Sequence, residues 1–303
     1  VEQITLLEEL PSLATALHQI VNALLYDSHC EMNKVLQLVR RIDLNVRDAE
    51  SQLQVLPTIG MKIPSVVQPH RWQQEPAVYS KAISTANLIA WTAHHSDMML
   101  EGTEELMAAA LLQDCGCLLA INGAQKSGQW EQSEQLLANQ EHPRWSAAMM
   151  QKLLPASSQL AAMVAQHHEQ LDGNGYPNKL TGHSLYSGSR LLALINRFIE
   201  LCHAVSIDQL SACENPLELY HNPASQLFRE AELGQWDLPM TTSFLKCLAL
   251  PTQLSRQHRL LKQYQLRHDT ELQSWHGPHW MSTTPAYQSH GASQHVESTR
   301  NPI

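Results

Sequence analysis

The stretch His167–Pro177 reads His-His-Glu-Gln-Leu-Asp-Gly-Asn-Gly-Tyr-Pro. Two adjacent histidines offer two imidazoles from one point of the backbone. The run Asp172-Gly173-Asn174-Gly175 that follows consists of strong turn formers. Its glycines let a backbone approach a ligand closely, and successive amide N–H groups in such a turn can cradle an anion. Tyr176 adds an aromatic edge and Pro177 a fixed φ. Histidines at the end of one helix would then face an anion-binding loop. Each half alone also fits a polar helix end or an ordinary turn; the unbroken string is the specific signal.

The elements that must position this stretch read as helices. Apolar residues recur at helical spacing near 76–95, 103–121, 142–154, 157–168, 187–204, 223–232 and 238–248. No alternating strand pattern appears, so the fold class is all-α, a bundle packed through apolar stripes. Residues 1–49 read as an N-terminal helical extension, with Leu13, Leu17, Ile20, Val21 and Leu24 on one face and Met32, Val35, Leu36, Val39 and Ile42 on another. Pro11 suits a first helical turn, and Ser28 with Glu31 a capping box. This extension serves as packing, as a dimer-forming coil or as the end of a sensor linkage, the first being preferred. Pro57, Gly60, Pro64 and Pro69 mark a linker. The domain boundaries are thus 1–70 for helices and linker, 71–265 for the main domain and 266–303 for a tail expected to be disordered.

Composition narrows the function classes. Twenty basic and 29 acidic residues give a formal charge of −9, which excludes a general DNA-binding surface. A local pocket for an anion remains compatible with it. The six cysteines lack disulfide spacing, and Cys115 and Cys117 would face different directions on a helix. They read as reduced thiols of a cytoplasmic protein. No apolar run reaches the ~18 residues of a membrane span, and a start at Val1 is expected of a fragment or a processed chain.

The whole string resembles the signature of the HD-GYP family, bacterial metal-dependent phosphodiesterases of cyclic di-GMP within the HD superfamily. The resemblance covers roughly residues 72 to 250. It implies a helical HD-superfamily bundle, a two-metal centre and hydrolysis of a phosphodiester. The family's His-Asp motif corresponds here to Leu111-Leu112-Gln113-Asp114-Cys115-Gly116-Cys117, so Gln113 replaces its histidine, Cys117 its lysine, and Asp114 survives. Glu75 matches the family's early glutamate, with Tyr79 four residues on in place of a histidine, and Asn196 replaces the late aspartate. His142, in Glu141-His142-Pro143, matches a histidine at the start of the next helix, and His167 and His168 match the paired histidines.

The substitutions implied by this resemblance fall on one of the two metals. Tyr79, Gln113 and Asn196 cannot replace two imidazoles and a carboxylate, so that site is expected to be lost. Asp114, His142, His167 and His168 remain, with Glu75 as an additional ligand, and suit one divalent ion such as Fe, Mn or Zn. Asp114 would be the bridging group if catalysis survives. Gly173, Asn174, Gly175, Tyr176, Lys179 and Arg190 are the residues that the resemblance places around a nucleotide. The implied function is a signalling protein related to cyclic di-GMP phosphodiesterases, weakly active or inactive, acting through a nucleotide or a protein partner such as a diguanylate cyclase. The alternatives are a one-metal phosphodiesterase and a helical scaffold.

Overall fold

The computed structural model describes residues 6–27, 31–59, 75–118, 132–153, 158–202 and 215–250. Among these, helices follow one another with no named strand, and an isolated antiparallel bridge pairs Asp172 with Thr181. The expected all-α class is the observed one. The linker prolines Pro64 and Pro69 and the tail from 266 lie outside the described residues.

Helix α1, Leu6–Asn22, buries Leu6, Leu10, Leu13, Leu17, Ile20 and Val21, a stripe of three- and four-residue steps. It runs into a π-helical turn, Ala23–Asp27. Pro11 sits inside α1 rather than in its first turn, because the helix already begins at Leu6. Helix α2, Met32–Arg47, buries Val35, Leu38, Val39, Ile42 and Val46. Glu31 is its N-cap and makes no side-chain cap bond, so Glu31 does not play the expected third-residue role in a capping box. A short α3 follows at Gln52–Val55.

Helix α4, Glu75–His95, lies at the centre: nearly every residue from Ala82 to Trp91 is buried. A helix apolar all round belongs in a core, surrounded by neighbours. Ser84 donates to the Thr58 carbonyl at 2.7 Å, and the Trp91 indole donates to the Cys247 carbonyl at 2.9 Å. Helix α5, Thr103–Leu112, is buried from Leu106 to its end. The sequence predicted a helix through 121. The structure instead breaks it into a turn at Gln113 and Asp114, after which 115–118 is again helical. No Gly or Pro announces that break. Helix α6, Gln132–Leu153, starts ten residues before the expected position and carries Pro143 inside it. His142-Pro143 therefore sits within the helix and not at its start.

Helices α7, Ser158–Gln166, α8, Ser187–Leu201, α9, His221–Glu232, and α10, Leu238–Cys247, complete the described bundle. Asp237 caps α10, accepting from the Met240 N–H. The buried apolar side chains of α1 and α2 belong to the same continuous core as those of α4, α5 and α8.

Buried Glu230 fastens α9 to α8. It accepts from Arg197 at 2.7 and 2.9 Å, from the Trp236 indole at 3.0 Å and from Gln226 at 3.0 Å. Burial alone would raise its pKa; the bonds from Arg197, Trp236 and Gln226 outweigh this and hold it below the ordinary carboxyl value. A depressed folded pKa stabilises the protein above the unfolded value, about 4.3, and that stabilisation is lost as pH falls through the folded value. Glu230→Gln should therefore cost about 1–3 kcal/mol at neutral pH and flatten the stability profile below pH ~4. Urea unfolding followed across that range checks both.

Candidate metal centre

Three segments bring the polar centre together. The turn after α5 presents Asp114, the middle of α6 presents His142, and the end of α7 presents His167 and His168. Gly116 allows this approach: a Cβ there would lie 2.6 Å from the His142 carbonyl and 2.8 Å from Ser146 Oγ. Its own N–H donates to Ser146 Oγ at 2.9 Å, clamping the Asp114 turn onto α6.

One ligand atom from each of Asp114, His142, His167 and His168 lies within 4.8 Å of the others. Asp114 Oδ1 is 3.1 Å from His142 Nε2 and 3.4 Å from His167 Nε2, and the two nitrogens are 3.1 Å apart. Around a metal ion with bonds of about 2.0–2.1 Å, neighbouring ligand atoms sit roughly 3.0–3.4 Å apart. His167 Nδ1 donates to the Val164 carbonyl at 2.7 Å, so its Nε2 lone pair is left facing the centre. Burial lowers the pKa of both His167 and His168, and neighbouring positive charge lowers His168 further. Both rings are thereby held neutral, the form that binds metal. The set fits one divalent ion.

The side chains at the second metal position that the resemblance implies do not form a ligand set. Gln113 and Asn196, both fully buried, form a closed amide pair, Gln113 Nε2 to Asn196 Oδ1 at 3.0 Å and Asn196 Nδ2 to Gln113 Oε1 at 2.7 Å. Tyr79 turns its hydroxyl to His18 of α1, at 3.1 Å. The α4 side chain that reaches the centre is Lys81, whose Nζ is 3.1 Å from Asp114 Oδ2. Two residues along a helix are about 200° apart, so Tyr79 and Lys81 face opposite ways. Tyr79, expected to be a substituted position and no ligand, thus turns away from the centre, and the side chain of Glu75 lies outside the described ones. Burial opposes the charge on Asp114, but Lys81 and a hydrogen bond from His142 hold its pKa well below the usual range. Burial, reinforced by the Asp114 charge, pushes the Cys117 thiol up, so it offers no thiolate.

The 170–182 loop is braced from inside. Buried Glu169 accepts the Asn178 N–H at 2.6 Å and the Leu180 N–H at 2.9 Å. Arg144 donates to the Pro177 carbonyl and to Asn178 Oδ1. Two amides expected to meet a phosphate are taken up within the loop: Gly173 N–H donates to the Gln170 carbonyl and Asn174 N–H to Asp172 Oδ1, each at 3.0 Å. Arg190 is likewise committed, donating to the Gly182 carbonyl at 3.0 Å and lying 3.5 Å from Asp237. Lys179 is exposed, with a left-handed φ of 54°. Gly175 is buried against the chain at Glu169 and Gln170.

Beside the histidines a cavity of about 350 Å³ is lined by His167, His168, Tyr176, Asn196, Arg197 and Trp236, together with Gln170, Ala193, Glu200 and Gln235. Tyr176 stacks on His168, with ring centroids 4.6 Å apart. Of the residues placed around a nucleotide by the sequence, Tyr176 lines this cavity; Arg197, which sequence reasoning missed, also lines it but is held by Glu230 and Glu200. Arg197 comes one residue after the recognised Asn196, so adjacency to a site position was the available signal.

Two comparisons bear on this centre. Residues 67–214 match the HD domain family. A 3'3'-cGAMP-specific phosphodiesterase 3 of Vibrio cholerae serotype O1 is 35% identical over 94 residues, 31% of this chain and 20% of that protein. The chain thus spans about a fifth of the length of the curated relative it matches. Among the described residues, no helix is long and apolar enough to cross a membrane. The matched span contains Asp114 and all three histidines, so sequence and geometry agree on a likeness to the HD domain.

Proposed function

We propose that this chain is a divergent HD domain of bacterial second-messenger signalling that binds a cyclic dinucleotide and turns it over weakly or not at all. One observation carries the reading: the Asp114–His142–His167–His168 grip borders an open cavity, while the neighbouring metal position is sealed by the Gln113–Asn196 pair. The cavity offers a ring face in Tyr176, which suits a base. Its volume of about 350 Å³ is within the range of small-molecule sites. The ion held by Asp114 and the histidines, of the Fe, Mn or Zn class, would supply positive charge next to a phosphate. Loss of one electrostatic partner in a reaction of this kind costs about 10²–10³ in rate, and here a whole metal position is missing. The likeness to a 3'3'-cGAMP phosphodiesterase supports a cyclic dinucleotide as the ligand class.

The test is calorimetry of cyclic di-GMP and 3'3'-cGAMP on metal-loaded protein, with turnover assayed anaerobically on the same sample. Saturable binding that weakens about tenfold in Tyr176→Leu is expected, since base–aromatic stacking contributes about 1–3 kcal/mol. Absence of binding to both dinucleotides overturns the reading. The complete Asp–His set favours a second reading, a one-metal phosphodiesterase. Its mark is turnover in the ordinary enzymatic range of about 1–10³ per second that His167→Ala abolishes.

A further inference from the structure

Asp114 divides its two oxygens between different partners. Oδ1 faces His142 Nε2 and His167 Nε2, at 3.1 and 3.4 Å. Oδ2 faces the Lys81 ammonium at 3.1 Å. The Asp114 side chain is 6% accessible and that of Lys81 22%. A carboxylate shared between two metal ions would use its oxygens in the same divided way, one towards each ion. Here the second direction already ends on a cation carried by the chain, and the side chains that would have to hold a second ion are neutral amides bonded to each other.

We propose that the Lys81 ammonium is a built-in cation that stands at Asp114 Oδ2 in place of a second metal ion, so that the centre comprises one metal ion and one lysine. The inference rests on Asp114 and the three histidines forming a metal grip. It adds a specific role for α4, which threads the core and delivers Lys81 from the side opposite Tyr79. An ion of the Zn²⁺ class bound at Oδ1 would share its carboxylate with a fixed positive charge. Its affinity is therefore set below what the same four ligands would give beside a neutral residue.

Titration of metal-free protein with Zn²⁺ or Mn²⁺, followed by calorimetry and elemental analysis, tests this without nucleotide or turnover. The unaltered protein is expected to take up one ion per chain. Lys81→Met should bind that ion at least about tenfold more tightly, because removing a like charge within a few ångströms shifts such equilibria by about one to three log units. Lys81→Arg keeps the charge and should stay near the unaltered affinity. Two ions per chain in the unaltered protein, or equal affinity in Lys81→Met, overturns the proposal. Should Lys81→Met not fold, the stoichiometry of the unaltered protein and the affinity of Lys81→Arg still decide. A protein that binds one ion as described but no dinucleotide would sink the receptor reading and leave the lysine in place.

Discussion

Asp114→Ala is expected to give a protein that neither holds a divalent ion nor keeps its stability. The carboxylate is the centre's sole anionic ligand among the four grouped side chains. Even an outer partner of a metal ligand contributes about 10–100-fold in affinity, and a direct anionic ligand contributes more. The same change strands Lys81 beside the buried histidines. Removing one member of a buried ion pair costs about 3–5 kcal/mol, and the partial accessibility of Lys81 places the loss near the lower figure. Urea unfolding of metal-free protein reads the second effect separately from the first. A double variant with Lys81→Met should recover much of the stability and none of the metal binding. An unchanged unfolding midpoint in Asp114→Ala would show that the pair contributes nothing to the fold.

The second large effect is expected at Gly175. A Cβ built there lies 2.4 Å from the Gln170 nitrogen, 2.5 Å from Glu169 Cα and 2.6 Å from the Glu169 carbonyl carbon. These are backbone atoms one turn away, so no side chain can swing aside. Gly175→Ala should destabilise by about 1–3 kcal/mol, as overpacking does, and pull Tyr176 off the His168 ring. Gly234→Ala is the control. It has a φ of +85° but nothing within 4 Å of a new Cβ; only backbone strain of about 1–2 kcal/mol applies. Thermal unfolding with dinucleotide calorimetry separates them: both lose stability, but ligand binding should fail in Gly175→Ala alone. Intact binding in Gly175→Ala would mean that the loop can move without disturbing the cavity.

Much of the bundle was legible because its helices bury long apolar stripes, and a period of 3.6 survives in sequence. The His167–Tyr176 string was legible because turn chemistry is local. Asp114 and His142 were found by resemblance, and the structure brings them to the paired histidines. What escaped depended on contacts between distant segments. The break at Gln113 has no local breaker; it is held by the packing of Gly116 on α6. Lys81 was passed over because helical spacing was counted from Glu75 and reached Tyr79, whose hydroxyl points to α1. Arg190 looked like a ligand cation by its place in the chain, yet its guanidinium braces the loop against Asp237. Glu169, inside the most conspicuous string of the sequence, fixes the loop by accepting two amides that no pattern could assign to it.

The Gln113–Asn196 pair has a consequence for how this chain can change over generations. Each amide satisfies the other in a fully buried position, and Thr85 Oγ1 lies 3.2 Å from the same Asn196 oxygen. Replacing Gln113 by histidine alone leaves Asn196 with an unmet donor, at about 1–3 kcal/mol, and gains no ligand set in return. Replacing Asn196 by aspartate alone buries a second carboxylate near Asp114 with no new cation. Either single replacement therefore gives a less stable chain, and the two positions are expected to change together. The pair thus acts as a latch, in which drift at one position is resisted by the amide it would strand at the other.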